Sequence, residues 1–145
     1  MRERTPVQSA AMLVGIVFLL VGILGFIPGI TTNLDDITFA GNDSGAELLG
    51  IFQVSILHNI VHGLFGLVGL YLARTWEGAR TFLIGGGVIY LVLFLYGIVI
   101  SDGSGANFVP LNSPEDDILH LLLGIGMIGL GVVLGRQRIA ERPAI

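Results

Sequence analysis

The chain contains no cysteine and no lysine, and only 12% of its 145 residues are charged. The missing cysteines exclude a disulfide scaffold, thiolate metal sites and cysteine nucleophiles. So little charge, together with 53% hydrophobic residues and a mean hydropathy of +0.86, is atypical of a soluble domain and typical of a membrane protein.

Four long apolar runs fill most of the chain, and each is long enough to span a bilayer as a helix. They predict a single all-α transmembrane domain over residues 1–145, with helices at about 8–29, 52–73, 80–100 and 115–135. Loops at 31–50 and 101–114 connect the helices at one side. The first run is interpreted as a retained signal anchor, because it exceeds the apolar core of a secretory signal peptide.

Helix boundaries are marked by turn-forming and capping residues. Pro28 and Gly29 follow the first run, and Ser113 precedes Pro114 as an N-cap for the fourth helix. Residues 46–54 are mildly amphipathic. They predict either an early start of helix 2 or a short surface helix before it.

Two of the runs repeat one another in the same register. Residues 56–74 and 118–136 each begin with a histidine, His58 and His120, and end on an arginine 16 residues later. At about 1.5 Å per residue this separation is roughly 24 Å, most of a hydrocarbon core. The repeat predicts a four-helix bundle made of two tandem hairpins, related by an axis along the membrane normal.

The basic residues are distributed asymmetrically. All seven are arginines, and none lies within residues 31–50 or 101–117, whereas eight of the eleven acidic residues lie in these two stretches. The positive-inside rule therefore predicts that both termini and the 74–80 turn are cytoplasmic. The arginines are Arg2, Arg4, Arg74, Arg80, Arg136, Arg138 and Arg142.

Twenty-two glycines are abundant for a helical chain of this length. Small residues let membrane helices approach closely, and Gly25–Gly29 and Gly131–Gly135 both have GxxxG spacing. The repeat partner of the second pair is Gly69 with Ala73. These faces indicate packing within the bundle, with a homo-oligomer face as the alternative.

Histidines are the main candidates for a site, because polar groups are costly inside a membrane. His58 and His62 share a helix face, and His120 is predicted at the same depth as His58. With Asp116 they form a possible divalent-metal set. Alternatively, His58 and His120 hold a b-type haem, or neutral imidazoles and Asn59 donate hydrogen bonds to a quinone or lipid head group. The structural alternative is that these side chains fix helix ends, with no cofactor bound.

Sequence motifs of soluble enzymes are missing. The chain has no P-loop, Gly-x-Ser-x-Gly, His-Glu-x-x-His or dinucleotide fingerprint, and nothing in it favours nucleic-acid binding. Tyr90 and Tyr96 are interpreted as packing or interface residues. We therefore expect a non-enzymatic structural or accessory membrane subunit that contacts lipid, with copies of itself or a larger membrane complex as the candidate protein partners. A histidine-based redox or metal protein is the alternative, and a small-molecule carrier is a third.

Several stretches resemble a known family of bacterial, mainly actinobacterial, membrane proteins, the domain of unknown function 4383. The resemblance runs from the first helix to about Leu134 and implies four membrane helices in a bacterial inner (plasma) membrane. It implies no activity. His58, His62, Asn107, Asn112 and His120 match its pattern. The overall shape is also similar to that of small four-helix DoxX-like proteins, some linked to quinone-dependent redox complexes. The matching stretches are LHNIVHGLFGLVGL, GGGVIYLVLFLYG and ANFVPLNSPEDDILHLLLGIGM.

Overall fold

Four helices and a small sheet make up the computed structural model, which describes residues 3–100 and 114–136. The helices are α1 (Pro6–Leu24), α2 (Ile56–Leu72), α3 (Trp76–Val99) and α4 (Pro114–Gly135). The strands are β1 (Thr31–Thr32), β2 (Glu47–Leu48) and β3 (Phe52–Gln53), with a 3-10 helix at Leu34–Asp36. The sheet lies at the end of the bundle where α2 begins, here called the sheet end. The opposite end, with the short connection from α2 to α3, is the turn end.

Polar side chains satisfy backbone N–H groups at the starts of the first three helices. Ser55 Oγ accepts a hydrogen bond from the His58 backbone N–H at 3.1 Å, and Thr75 Oγ1 accepts one from Gly78 at 3.0 Å. At α1, the Thr5 backbone N–H donates to Gln8 Oε1 at 3.1 Å, ahead of proline at the first helical position. The predicted cap Ser113 lies outside the described residues.

Three predicted helix boundaries differ clearly from the structure. Helix α3 begins at Trp76 rather than at residue 80, because Thr75 caps it there. Helix α1 ends at Leu24 rather than at residue 29, because the chain turns at once after Gly25 and reaches a positive φ of 90° at Gly29. Helix α2 begins at Ile56 rather than at residue 52, because Phe52 and Gln53 pair with β2. The α2–α4 repeat therefore does not extend upstream of the histidines. The residues just before His120 are helical, whereas the equivalent residues before His58, Phe52 and Gln53, form strand β3.

The segment at 46–54 is a β-hairpin, so the expected surface helix or early helix start was wrong. Strand β2 lies between β1 and β3 in an antiparallel sheet, with Thr31 opposite Leu48 and Glu47 opposite Gln53. Glycines flank these two-residue strands, which breaks any helical pattern. The hairpin buries Ala46, Leu48 and Val54 against Val21 and Leu24 of α1, so the sheet closes the end of the bundle.

The helices pack as two hairpins, α1 with α2 and α3 with α4, which face each other. A Cβ atom at Gly22 would lie 2.6 Å from the backbone nitrogen of Gly63, and one at Gly87 would lie 2.7 Å from the Gly124 carbonyl oxygen. Only glycine allows so close an approach of two backbones. Between the hairpins, a core including Phe18, Phe82, Leu83, Tyr90 and Met127 is buried.

The surface of the four helices is largely apolar, as in proteins that contact lipid. Helices α1, α3 and α4 are long and apolar enough to cross a membrane, and α2 is a shorter apolar helix of 17 residues. Each helix exposes large apolar side chains, which would be costly in water. The predicted all-α, four-helix membrane bundle of two hairpins is confirmed. The exposed side chains include Val17, Leu20, Leu64, Leu67, Val92, Leu95, Leu122 and Ile125.

Candidate functional site

Four rings form a continuous row near the sheet end, and we call His58, His62, Tyr90 and His120 the imidazole row. It starts on α2, where the centroids of the His58 and His62 rings are 4.4 Å apart, one helical turn from each other. The loop before the helix fixes its first turn, because the Thr38 and Phe39 carbonyl oxygens accept hydrogen bonds from the N–H groups of Ile56 and Leu57 at 3.0 and 2.8 Å.

Tyr90 of α3 connects the histidines of the two hairpins. Its hydroxyl lies 3.3 Å from His62 Nε2, within hydrogen-bond distance. Its ring stacks on His120 with centroids 5.2 Å apart and an angle of 17° between the planes. From the sequence Tyr90 was predicted to be a packing or interface residue, and this connection was not expected. The only signal for it was a hydroxyl within an apolar run.

His120 of α4 is held in a defined orientation. Its Nδ1 lies 2.6 Å from the backbone carbonyl oxygen of Asp116, one turn earlier, so Nδ1–H donates to that carbonyl. A neutral imidazole with the proton on Nδ1 keeps Nε2 as an acceptor. Both His120 and Asp116 are buried, at 5% exposure. Asp116, which was predicted as a possible metal ligand, thus contacts the imidazole row through its backbone carbonyl.

Several polar side-chain atoms of α2 are buried and lack a hydrogen-bond partner among the described residues. Within residues 3–100 and 114–136, Nδ1 of His58, Nδ1 of His62 and both side-chain polar atoms of Asn59 have no hydrogen-bond partner. The Asn59 amide interacts with the His58 ring, but not with the geometry of a hydrogen bond. Asn59 is 1% exposed. Because an unsatisfied buried polar group costs about 1–3 kcal/mol, such a cluster in a membrane domain is a functional-site candidate.

Aromatic rings enclose the row on the α1 side. Phe18 packs 5.3 Å from His62 and 5.2 Å from Tyr90, measured between ring centroids. Phe65 lies 4.9 Å from Phe18 and 5.8 Å from Tyr90. His58 and His62 are nevertheless only half-buried, so part of each residue reaches the surface of the bundle, although their Nδ1 atoms are buried.

The predicted ligand sets are brought together only in part. His58 and His62 are adjacent, whereas His120 reaches them through Tyr90. Among the side chains that the structure describes, no group of three or more His, Asp or Glu residues has the geometry of a metal site. A haem between α2 and α4 does not fit as the row stands, since it would have to displace the Tyr90 ring. Asn107 and Asn112 lie outside the described residues.

Comparison with known families agrees with this architecture. A family model described as a domain of unknown function, number 4383, matches residues 8–133, which is most of the chain. The chain belongs to that family. No curated protein and no solved structure is significantly similar to it. For this member of family 4383, the geometry of the imidazole row is therefore the principal evidence on function.

Proposed function

We propose that this member of family 4383 is a non-enzymatic accessory protein of a bacterial plasma membrane that binds a quinone-type ligand at the imidazole row. One observation carries the proposal: among the described residues, the Nδ1 atoms of His58 and His62 and the amide of Asn59 are buried and have no partner with hydrogen-bond geometry. Polar atoms in such a position are normally satisfied by the protein or by something bound to it.

The chemistry of the row matches a quinone head group. Quinone carbonyl oxygens accept hydrogen bonds, and the Asn59 amide and a neutral imidazole N–H can donate them. Phe18 and Tyr90 are buried behind the histidines and form the aromatic wall against which they pack. Leu57 and Val61, which flank the histidines on α2, are exposed apolar residues suited to an isoprenoid tail. These features support a ligand that enters from the bilayer.

Binding is tested with decylubiquinone and the purified full chain in nanodiscs, with bound quinone quantified after removal of free ligand. We expect about one quinone per chain in the wild type. The double variant His58→Leu/Asn59→Leu should reduce retention by about fivefold to a hundredfold, because two hydrogen bonds of roughly 0.5–1.5 kcal/mol each are lost.

The control variant is Leu64→Ala, which changes an exposed apolar residue two turns further along α2. It should leave quinone retention unchanged. Equal retention in the wild type and the double variant would overturn the proposal, because quinone would then be dissolved in the lipid rather than bound.

A metal ion is the second candidate ligand, and the adjacency of the His58 and His62 rings favours it. Imidazoles spaced four residues apart on a helix are a common pair of metal ligands. An absorption spectrum and elemental analysis of protein purified from its native membrane test this candidate, with a His58→Ala/His120→Ala variant beside it. Stoichiometric metal, or a Soret band, that disappears in the variant would replace the quinone proposal with a metal or haem site.

The orientation we propose has both termini and the turn end in the cytoplasm. It is supported by Arg4, Arg74 and Arg80, which all lie near the turn end, and by the acidic residues of the sheet end. Since the chain has no cysteine, single cysteines can be introduced at Phe39 and Glu77. A membrane-impermeant maleimide applied to whole cells should label Phe39→Cys and spare Glu77→Cys. The reverse labelling pattern would show that the orientation is opposite to the one proposed.

The accessory role is supported by what the glycines contact. Gly22, Gly87 and Gly131 all face other helices of the same chain, which favours packing within the bundle over a glycine-mediated dimer. The lipid-facing apolar surface is then the surface available for other subunits. Crosslinking in native membranes followed by mass measurement tests this. A recurrent partner protein supports the accessory role, and a uniformly monomeric chain opposes it.

A further inference from the structure

A cavity of about 720 Å³ lies at the turn end, at the opposite end of the bundle from the imidazole row. It is formed by the first turns of α1 and by the connection between α2 and α3. The volume is in the range of sites for small organic ligands. Its polar lining includes Glu3, Arg4, Arg74 and Glu77, and its apolar lining includes Met12 and Leu70.

Gln8 gives the cavity a fixed wall. Its side-chain amide donates hydrogen bonds to the carbonyl oxygens of Ala73 and Arg74, at 3.2 and 2.9 Å. These carbonyls end α2, where helix carbonyl groups have no partner within the helix. The contact fixes α1 against the end of α2, so Arg4 from one side and Arg74 from the other line the same cavity.

The lining changes from charged to apolar with depth, in the same order as the head group and acyl chains of a phospholipid. Arg4 and Arg74 are exposed at the helix ends. Met12 lies six residues into α1 after Pro6, roughly 9 Å along the axis, and Leu70 lies about 6 Å before Arg74 on α2. Trp76, an amphipathic residue typical of the membrane interface, also lines the cavity. Charged groups thus line the rim and apolar groups the deeper part.

We propose that this cavity binds the head group of a zwitterionic phospholipid of the adjacent leaflet, with phosphatidylethanolamine as its occupant. Arg4 and Arg74 contribute two positive charges and Glu3 and Glu77 two negative charges, so these four side chains sum to zero. The arginines donate hydrogen bonds to the phosphate, the geometry that guanidinium groups favour. The glutamates receive the ammonium group, and Met12 and Leu70 contact the start of the acyl chains.

Native mass spectrometry of the full chain tests the site after release from nanodiscs with equal amounts of phosphatidylethanolamine and phosphatidylglycerol. We expect one retained phosphatidylethanolamine. The Arg4→Gln/Arg74→Gln variant should retain it about fivefold to tenfold less, given the modest energy of exposed charge pairs. Both arginines are exposed, so the variant should fold, and circular dichroism checks this.

The matched control is Arg136→Gln, which removes an exposed arginine at the same end of the bundle but outside the cavity lining. It should retain the lipid as the wild type does. An equal loss in this control, or preferential retention of phosphatidylglycerol, would overturn the proposal in favour of general attraction to charged lipid. Full displacement by water-soluble glycerophosphoethanolamine at equal concentration would also overturn it, because the apolar part would then contribute nothing.

Discussion

Replacing Asn59 by leucine should make the protein more stable. Asn59 is 1% exposed, and neither of its side-chain polar atoms has a hydrogen-bond partner among the residues described. Leucine has nearly the same shape without the polar atoms. Natural proteins keep such costly groups chiefly where function requires them, so a stabilising substitution here indicates a binding site.

The size of the effect follows from these contacts. Each unsatisfied buried polar group costs about 1–3 kcal/mol, and leucine removes two of them. The gain is reduced by the lost interaction with the His58 ring and by the tight contact of residue 59 with Gly25. A net gain of about 1–2 kcal/mol remains, which corresponds to a rise of about 3–8 °C in the unfolding temperature.

Thermal unfolding in detergent, followed by circular dichroism, measures this shift. Ser55→Ala is the matched control, because Ser55 is equally buried but accepts a hydrogen bond from His58 N–H as the helix cap. It should lower stability by about 0.5–2 kcal/mol. If Asn59→Leu lowers stability as Ser55→Ala does, Asn59 is satisfied within the fold and the argument for a ligand is wrong.

Three further predictions, made for the same unfolding assay, test the packing and the strain in the fold. Gly22→Ala should destabilise by about 1–3 kcal/mol, since its Cβ meets the α2 backbone, whereas Gly63→Ala, with open space around its Cβ, should not; equal effects would refute the close approach. Tyr90→Phe should cost about 0.5–1.5 kcal/mol through the lost contact with His62, and no change would refute that hydrogen bond. Leu49→Gly should stabilise by about 1 kcal/mol, because Leu49 has a φ of 56°, and a loss of stability would show that the leucine side chain contributes there.

The helices were predictable because their signals are local. Long apolar runs predict helices that could cross a membrane, and α1, α3 and α4 are such helices. The sheet was not predictable in the same way, because strands of two residues are too short to show an alternating pattern. Residues 46–54 form a hairpin only because Leu48 and Val54 can be buried against α1, which is a tertiary effect.

The candidate site was predictable at the level of residues but not of geometry. His58 and His62 share a helix face by spacing alone, and the structure brings their rings together. The position of Tyr90 between His62 and His120 depends on how α3 is rotated against its neighbours, and sequence periodicity does not encode that rotation. The backbone hydrogen bond from His120 to Asp116 likewise replaces the side-chain role that the four-residue spacing suggested.

Photoaffinity labelling tests the proposed ligand site most directly. An azido-benzoquinone with a short alkyl tail is activated on the wild-type chain in nanodiscs, and the modified peptides are identified by mass spectrometry. The account predicts that labels concentrate on α2 between Leu57 and His62 and on α4 around His120, and that Asn59→Leu abolishes them. Labels spread evenly over the lipid-facing residues of all four helices, unchanged by Asn59→Leu, would contradict it.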